Sequence, residues 1–227
     1  MNALRVDWCS SEAATWAVKH WHYSRTMPPI KTVRVGVWWG DRFKGAVIFS
    51  RPCRKQHLMF GLEPQEVCEL ARVALDRHEG FHVTEVVARA IKLLKQRCPD
   101  LRLIVSFADP TKGHVGRIYQ AGNWIYSGRS APARILVHQG RELHRRHYTG
   151  ATFDHPRAKP PPGSVWVPVP GKHRYLMPLD RRMRRQVERM RQPYPQPADA
   201  LAEGAGHQPG QAVRARPSAS RRRHEGP

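Results

Sequence analysis

The sequence predicts a mixed α/β domain with one sheet that has an antiparallel front, a central parallel strand pair and flanking helices. Two observations carry this prediction. Residues 33–39 and 43–49 are β-branched apolar runs separated by a short link, which indicates an antiparallel hairpin. Residues 68–75 and 101–105 also read as strands, and the helical pattern between them predicts a right-handed parallel crossover.

The N-terminal part of the chain is predicted to form a strand and a helix before the hairpin. Residues 4–9 alternate between apolar and polar side chains, as a half-buried strand does. Ser10 or Ser11 then caps a helix that runs towards Ser24, and the helix is broken by Pro28. The hairpin therefore follows a strand and a helix.

The middle of the chain is predicted to form a loop followed by alternating helices and strands. Residues 51–66 read as a loop, and Thr84 caps the crossover helix, which ends before Pro99. A second helical spacing ends at Gly122, a C-cap candidate, and residues 124–126 form the next strand. Strands and helices thus alternate along this stretch.

The C-terminal part is predicted to add peripheral elements. Residues 133–138 and 141–144 form a hairpin, and residues 165–167 and 175–177 form edge strands. A short, very basic helix covers residues 179–190. These elements are expected to lie outside the centre of the sheet.

Composition divides the chain into three parts. Residues 1–155 are predicted to form the main folded domain, and residues 156–192 a basic extension that packs on or beside it. Residues 193–227 contain almost no core-forming side chains and are predicted to be a disordered basic tail.

The charge of the chain points to a polyanionic partner. The 227 residues contain 39 Lys+Arg and 18 Asp+Glu, which gives a formal net charge of +21. No apolar run is long enough to span a bilayer, and the first residues show no secretory signal pattern. The four cysteines are widely spaced, which favours a reducing cytoplasm over a disulfide framework. We therefore expect a cytoplasmic protein with no membrane partner.

A polar cluster marks the candidate site. Ser106, Asp109, Lys112 and His114 lie where a strand ends and a helix begins, a position at which α/β proteins bind ligands. Asp109 is followed by Pro110, which also suits a helix cap. A functional role for Asp109 and a purely structural cap are both left open by this position.

Several strings in the same order carry a resemblance to a known family. They are His20-Trp21-His22-Tyr23-Ser24, Glu69-Leu70-Ala71-Arg72-Val73-Ala74-Leu75, and Ser106-Phe107-Ala108-Asp109-Pro110 with Gly113-His114, Ile118-Tyr119-Gln120-Ala121 and Asn123-Trp124. From about residue 10 to residue 150 the chain resembles the Mom proteins of Mu-like phages. The resemblance implies an acyl-CoA N-acyltransferase (GNAT)-like fold, in which the strands carrying Arg72 and Ser106 splay apart. It also implies conversion of adenine in DNA to N6-carbamoylmethyladenine, which protects the DNA from restriction.

The resemblance assigns roles to particular residues. Arg72, Asp109 and Tyr119 match positions proposed to be functional in the family, and Thr84 stands at a small-hydroxyl position. Together with Ser106 the first three are our catalytic candidates. Taken by their positions alone, Arg72 reads equally well as an outward-facing strand residue and Tyr119 as a core aromatic.

The donor of the added group is left open. It is either acetyl-CoA, which the fold suggests, or another acyl donor. Iron is a further candidate cofactor. Residues 76–84 contain one glycine, where acyl-CoA enzymes usually carry a glycine-rich pyrophosphate turn. Arg77, Thr84 and Lys112 are the candidate cofactor-binding residues. The missing turn puts ordinary acetyl-CoA use in doubt.

Three histidines are candidate metal ligands. His20, His22 and His114 could bind iron through imidazole, although surface or stacking roles fit them as well.

Double-stranded DNA with a flipped adenine is the predicted partner, because an enzyme that modifies a base must take it out of the stack. Aromatic and cationic side chains supply the candidate contacts. They are Trp21, Tyr23, Arg25, Trp124, Arg181, Arg182, Arg184 and Arg185. A GNAT-like N-acyltransferase that acts on a small amine or a protein, and a DNA-binding protein without activity, are the alternatives. A homodimer through sheet edges is left open.

Overall fold

The computed structural model describes residues 3–52, 56–76, 80–143 and 159–196, which form a mixed α/β fold with two sheets. The strands are β1 (Leu4–Trp8), β2 (Thr32–Trp39), β3 (Arg42–Ser50), β4 (Val67–Leu75), β5 (Leu103–Ala108), β6 (Ile125–Arg129), β7 (Ala133–His138), β8 (Arg141–Leu143), β9 (Val165–Val169) and β10 (His173–Pro178). The helices are α1 (Ser11–Trp21), α2 (Gln56–Met59), α3 (Val83–Arg97), α4 (Arg117–Ala121) and α5 (Arg181–Glu188), with a 3-10 turn at Pro110–Lys112. Among these helices none combines the length and the apolar character needed to cross a membrane.

The main sheet has seven strands in the order β1-β2-β3-β4-β5-β10-β6. The pair β4–β5 is parallel, and the other neighbouring pairs are antiparallel. Helix α3 joins the two parallel strands, as the apolar spacing of its sequence predicts. The antiparallel front and the crossover are therefore both confirmed.

The two faces of the main sheet are covered by different helices. On one face, Val47 and Phe49 of β3 pack with Val86 and Ala90 of α3. The next residues along β3 point to the other face, because side chains alternate along a strand. There Ile48 packs against α1. Helix α5 adds Met183 and Val187 to the same face, against Leu103, Val105 and Leu176. The sheet is thus the middle layer of three.

Strand β10 is the main departure from the predicted architecture. Residues 175–177 were expected at an edge, and that prediction is wrong, because β10 lies between β5 and β6. Tyr175 and Leu176 have no exposed surface, as is typical of a central strand. Residues 173–178 therefore belong to the sheet itself and do not pack beside it.

The last described residues also pack on the domain. Tyr194 donates a hydrogen bond of 2.7 Å to the carbonyl of Trp124, and the Gln120 amide donates to the carbonyl of Pro195 at 3.2 Å. The expectation of disorder from residue 193 is therefore wrong for residues 193–196. Residues 197–227, to which the rest of that prediction applies, lie outside the described residues.

Local predictions hold in part. Ser10 caps α1 by accepting from the Ala13 N–H, but the helix ends at Trp21. The predicted loop at 51–66 contains the short helix α2. Thr84 does not cap α3, because the N-cap residue is His82 and Thr84 is the second residue of the helix.

The smaller sheet contains the predicted hairpin. Its order is β8-β7-β9, so β9 is an edge strand as predicted. Gln139 and Gly140 both have positive φ, of 47° and 74°, which suits the tight turn between β7 and β8.

Candidate functional site

The site begins where the parallel strands β4 and β5 separate. Their pairing extends only from Val67–Leu103 to Glu69–Val105. Beyond it, β4 stays paired with β3 and β5 stays paired with β10, so the two strands follow different neighbours. Where the two strands begin to separate, a side chain still links them: the Ser106 hydroxyl of β5 donates a hydrogen bond of 2.7 Å to the carbonyl of Leu70 on β4.

A cavity of about 430 Å³ opens at this split. Three parts of the chain form it: the end of α1, the separated ends of β4 and β5, and the segment between the 3-10 turn and α4. Its lining residues are Trp21, His22, Tyr23, Ala71, Arg72, Val73, Phe107, Ala108, Gly113, His114, Val115, Gly116, Arg117, Ile118 and Tyr119. This volume is within the usual range of small-molecule sites.

The segment 113–116 is held in place by Tyr175 of β10. The Tyr175 hydroxyl donates to the carbonyl of Val115 and accepts from the Gln120 amide at 3.1 Å. Gly116 has a φ of 77°, and a Cβ atom there would lie 2.4 Å from a ring carbon of Tyr175. Close packing and backbone conformation therefore both require glycine at this position.

Arg72 projects into the cavity from β4. Its guanidinium donates to two backbone carbonyls, those of Ala71 at 2.7 Å and Thr26 at 3.3 Å. Within the described part of the chain no carboxylate pairs with it. Arg72 therefore presents a positive charge to the cavity, where an anionic group of a ligand can bind.

Ser106 and Tyr119 form a buried hydrogen-bonded pair behind the cavity. Their hydroxyl oxygens are 2.7 Å apart, and Ser106 has no exposed surface. Burial raises the pKa of Tyr119 to about 12, so the phenol stays protonated at neutral pH. Tyr119 also lines the cavity, so this pair fixes one wall of the site.

Asp109 has partners on both carboxylate oxygens. One oxygen accepts from the Thr111 N–H at 3.1 Å and from the Thr111 hydroxyl at 2.7 Å, which makes Asp109 the cap of the 3-10 turn. The other oxygen pairs with Lys172 Nζ at 2.8 Å. Burial acts to raise the pKa of Asp109, but Lys172 and Thr111 outweigh it and hold that pKa below its ordinary value. Asp109 is therefore a cap and one half of an ion pair. It follows Ala108, a lining residue, but is not itself among the residues that line the cavity.

Lys172 is the site residue that sequence reasoning missed. Burial acts to lower its pKa, but the Asp109 carboxylate outweighs this effect, so the pKa is raised. Its backbone is fixed by Ser130, which donates its N–H to the Lys172 carbonyl at 2.9 Å and accepts the Lys172 N–H on its hydroxyl at 3.0 Å. No local pattern in the sequence singled out Lys172, because its partner Asp109 lies far away along the chain.

His22, Tyr23 and His114 form an aromatic cluster at the cavity. The rings of Tyr23 and His114 meet edge to face at 4.7 Å, and those of His22 and Tyr23 lie 4.4 Å apart. Burial, with the charges of Arg72 and His114, lowers the pKa of His22 to about 4. Burial also lowers the pKa of His114, although the Asp109 carboxylate opposes this. Both imidazoles are therefore neutral at pH 7.

Comparison with known proteins assigns the family. The sequence model of the Mom protein family matches residues 3–196, which is most of the chain. The chain belongs to the Mom family. No match was found among curated proteins. Membership of this family suggests a phage DNA modification protein, for which DNA is the substrate.

The three histidines predicted as metal ligands are not brought together in this Mom-family protein. His22 and His114 line the cavity, but His20 stacks on Trp16 with ring centroids 4.2 Å apart and an interplanar angle of 23°. Among the described residues no group of three or more His, Cys, Asp or Glu side chains could share a metal ion. These residues therefore do not fit an iron site built on the three histidines.

The other residues predicted to bind DNA or a cofactor are not all placed at the cavity. Trp124 is 1% exposed and packs against Tyr119, so it cannot stack on a base, and that prediction is wrong. Arg25 and Lys112 are exposed near the cavity-forming segments. Thr84 lies on α3 and does not line the cavity, and Arg77 lies outside the described residues.

The basic helix α5 begins at the opposite end of the sheet. Its cap, Asp180, pairs with Arg102 at 2.8 Å, one residue before β5, whereas the cavity lies at the Ala108 end of that strand. The length of β5 separates the two by roughly 17 Å. The exposed arginines of α5 are Arg181, Arg182, Arg184 and Arg185. If DNA is bound, these arginines and the cavity face different parts of it.

Proposed function

We propose that this Mom-family protein is a phage enzyme that converts adenine in DNA to N6-carbamoylmethyladenine and so protects the DNA from restriction. The observation that carries the proposal is the cavity at the β4–β5 split, with Arg72 and two neutral imidazoles on its wall. A central parallel pair that separates in this way also supports the GNAT-like fold. Binding of a base and of a donor at one split is what such a transfer requires.

The substrate is an adenine flipped out of the duplex. A base stacked inside the DNA duplex cannot reach a cavity that opens between two β-strands of the protein. The nucleotide therefore has to rotate out of the duplex. Tyr23, which is 51% exposed and touches His114, lies where the entering base meets an aromatic ring. The net charge of +21 supplies the attraction for the phosphate backbone.

The reaction replaces one hydrogen on N6 by a carbamoylmethyl group. The N6 lone pair forms a bond to the methylene carbon, the donor's leaving group departs with its electron pair, and the N6 proton passes to a base. The lone pair is delocalised into the purine ring, so the reaction needs a well-placed base and a strong electrophile. His114 is the better base, because a neutral imidazole accepts a proton more readily than a carboxylate of lowered pKa.

The remaining residues position the reactants. Arg72 binds an anionic part of the donor, and Asp109 accepts a hydrogen bond from the N6 amine while Lys172 holds its orientation. Tyr119 stays protonated and orients the base as part of the cavity wall, with its hydroxyl held by Ser106. The donor in this step carries a leaving group on the methylene carbon beside its carboxamide. Acetyl-CoA, the donor that the fold suggests, lacks both groups and does not fit the step.

The test is mass spectrometry of nucleosides from plasmid DNA of bacteria that express the protein. We expect a deoxyadenosine derivative about 57 Da heavier than deoxyadenosine, which disappears in Asp109→Ala and is strongly reduced in His114→Gln. The control is Asp100→Ala, which removes an exposed carboxylate beyond the end of α3. Unmodified DNA from the native protein, folded and bound to DNA, would refute the reaction. Normal modification by Asp109→Ala would refute the role of Asp109.

A further inference from the structure

Helix α1 carries an exposed aromatic pair that the proposed reaction does not use. Trp16 is 46% exposed, although tryptophan is among the side chains with most to gain from burial. His20, one helical turn later, stacks on it, and His20 Nδ1 donates to the Trp16 carbonyl at 2.7 Å. The pair is therefore held in a fixed orientation on the surface.

This pair is continuous with the wall of the cavity. The ring of Trp16 meets the ring of Trp21 edge to face, with centroids 4.8 Å apart. Trp21 is also one of the cavity-lining residues. A group resting on Trp16 is therefore separated from the cavity by a single aromatic ring.

A shallow depression of about 360 Å³ lies beside Trp16. The exposed side chains of Lys19 and Glu12 both line it, and the Lys19 ammonium group is the one that can contact a phosphate. An exposed flat ring next to a cation is the combination that proteins use to bind unpaired nucleotides, because the ring stacks on the base and the cation contacts the backbone.

We propose that Trp16, supported by His20, is a stacking platform for an unpaired base of the DNA strand that carries the target adenine. The inference rests on the proposed function, since flipping the adenine is what unstacks its neighbours. The platform holds a neighbouring base on the outside of α1 while the adenine occupies the cavity. The contact thereby stabilises the opened DNA duplex at a site outside the cavity.

The test compares two short duplexes, one fully paired and one with a single unpaired base beside the target adenine. We expect the native protein to bind the second duplex more tightly, and Trp16→Ala to lose roughly tenfold in affinity for it while binding the paired duplex nearly normally. Trp16→Tyr keeps a stacking ring and should retain most of the affinity. Trp8→Ala is the matched control, because Trp8 is 40% exposed on β1, outside the aromatic pair.

A second readout uses 2-aminopurine as the unpaired base, whose fluorescence is quenched when it stacks on an aromatic ring. Quenching by the native protein and its loss in Trp16→Ala are expected. Unchanged binding and quenching in Trp16→Ala, an equal loss on both duplexes, or a change only in oligomeric state would overturn the platform. Failure of the native protein to bind either duplex would refute the DNA-modifying function as well, whereas normal stacking without adenine modification would refute only the reaction.

Discussion

Replacement of Lys172 by methionine tests how the site depends on a residue that follows Asp109 by more than sixty positions. The substitution removes the ammonium group that lies 2.8 Å from the Asp109 carboxylate and keeps most of the aliphatic chain. The Thr111 hydrogen bonds remain, so Asp109 still caps the 3-10 turn. The change therefore isolates the contribution of the ion pair.

The expected cost is about 1 kcal/mol of folding stability at neutral pH. Two unit charges 4 Å apart attract by about 4 kcal/mol at an effective dielectric constant of 20. The Lys172 side chain is 49% exposed, and solvent screening reduces the interaction to the level of a surface ion pair, about 1 kcal/mol. In a domain of this size that corresponds to roughly 2–4 °C in Tm.

The pH dependence gives the sign of the effect. The pKa of Asp109 is lowered in the folded protein. The ionised carboxylate therefore stabilises the fold fully above the ordinary carboxyl pKa, and this stabilisation is lost as the pH falls through the lowered pKa of the folded protein. The difference in Tm between native and Lys172→Met should therefore be full at pH 7, begin to shrink near the ordinary carboxyl pKa of about 4, and vanish only below the lowered pKa of folded Asp109. In the modification assay, the acid limb of the pH–rate profile should move towards neutral pH.

The matched control is Lys92→Met, which removes an exposed ammonium group on α3. Thermal unfolding between pH 3 and pH 7, together with modification rates on plasmid DNA, measures both effects. Equal behaviour of the two lysine variants, or a stability difference that grows as pH falls, would show that the ion pair does not act as described.

Two further predictions concern the cavity wall. Gly116→Ala should destabilise the fold by about 2–4 kcal/mol in urea unfolding, because the new Cβ meets the Tyr175 ring and the φ of 77° is strained for alanine. Gly163→Ala, at a φ of 79° with open space around it, separates backbone strain from the clash, and equal losses in the two variants would exclude the clash. His22 should stay neutral down to about pH 4 in an NMR titration. Protonation near pH 6.5 would contradict its burial.

Sequence reasoning succeeded where the signal was local. The hairpin of β2 and β3, the crossover through α3 and the cap at Ser10 each depend on residues that are close in the chain. Asp109 was read both as a cap and as a site residue. Its bonds to Thr111 confirm the cap, and its functional role stays a prediction. Local patterns therefore located one end of the cavity.

Long-range pairing was not available from the sequence. The six residues of β10 resemble any short strand, and nothing within them specifies β5 and β6 as neighbours. Lys172 could not be placed beside Asp109 for the same reason. Trp124 was taken for a base-stacking residue because aromatic side chains serve both cores and binding surfaces, and only its packing against Tyr119 and Tyr194 decides between them.

The central position of β10 has a consequence for the order in which the protein becomes active during synthesis. Residues 173–178 are among the last described residues to leave the ribosome, yet they join β5 to β6 and supply Tyr175. Until then, the segment around Gly116 lacks the Tyr175 ring and hydroxyl, and Asp109 lacks its ion pair with Lys172. A nascent or truncated chain that ends before residue 178 therefore lacks an assembled cavity.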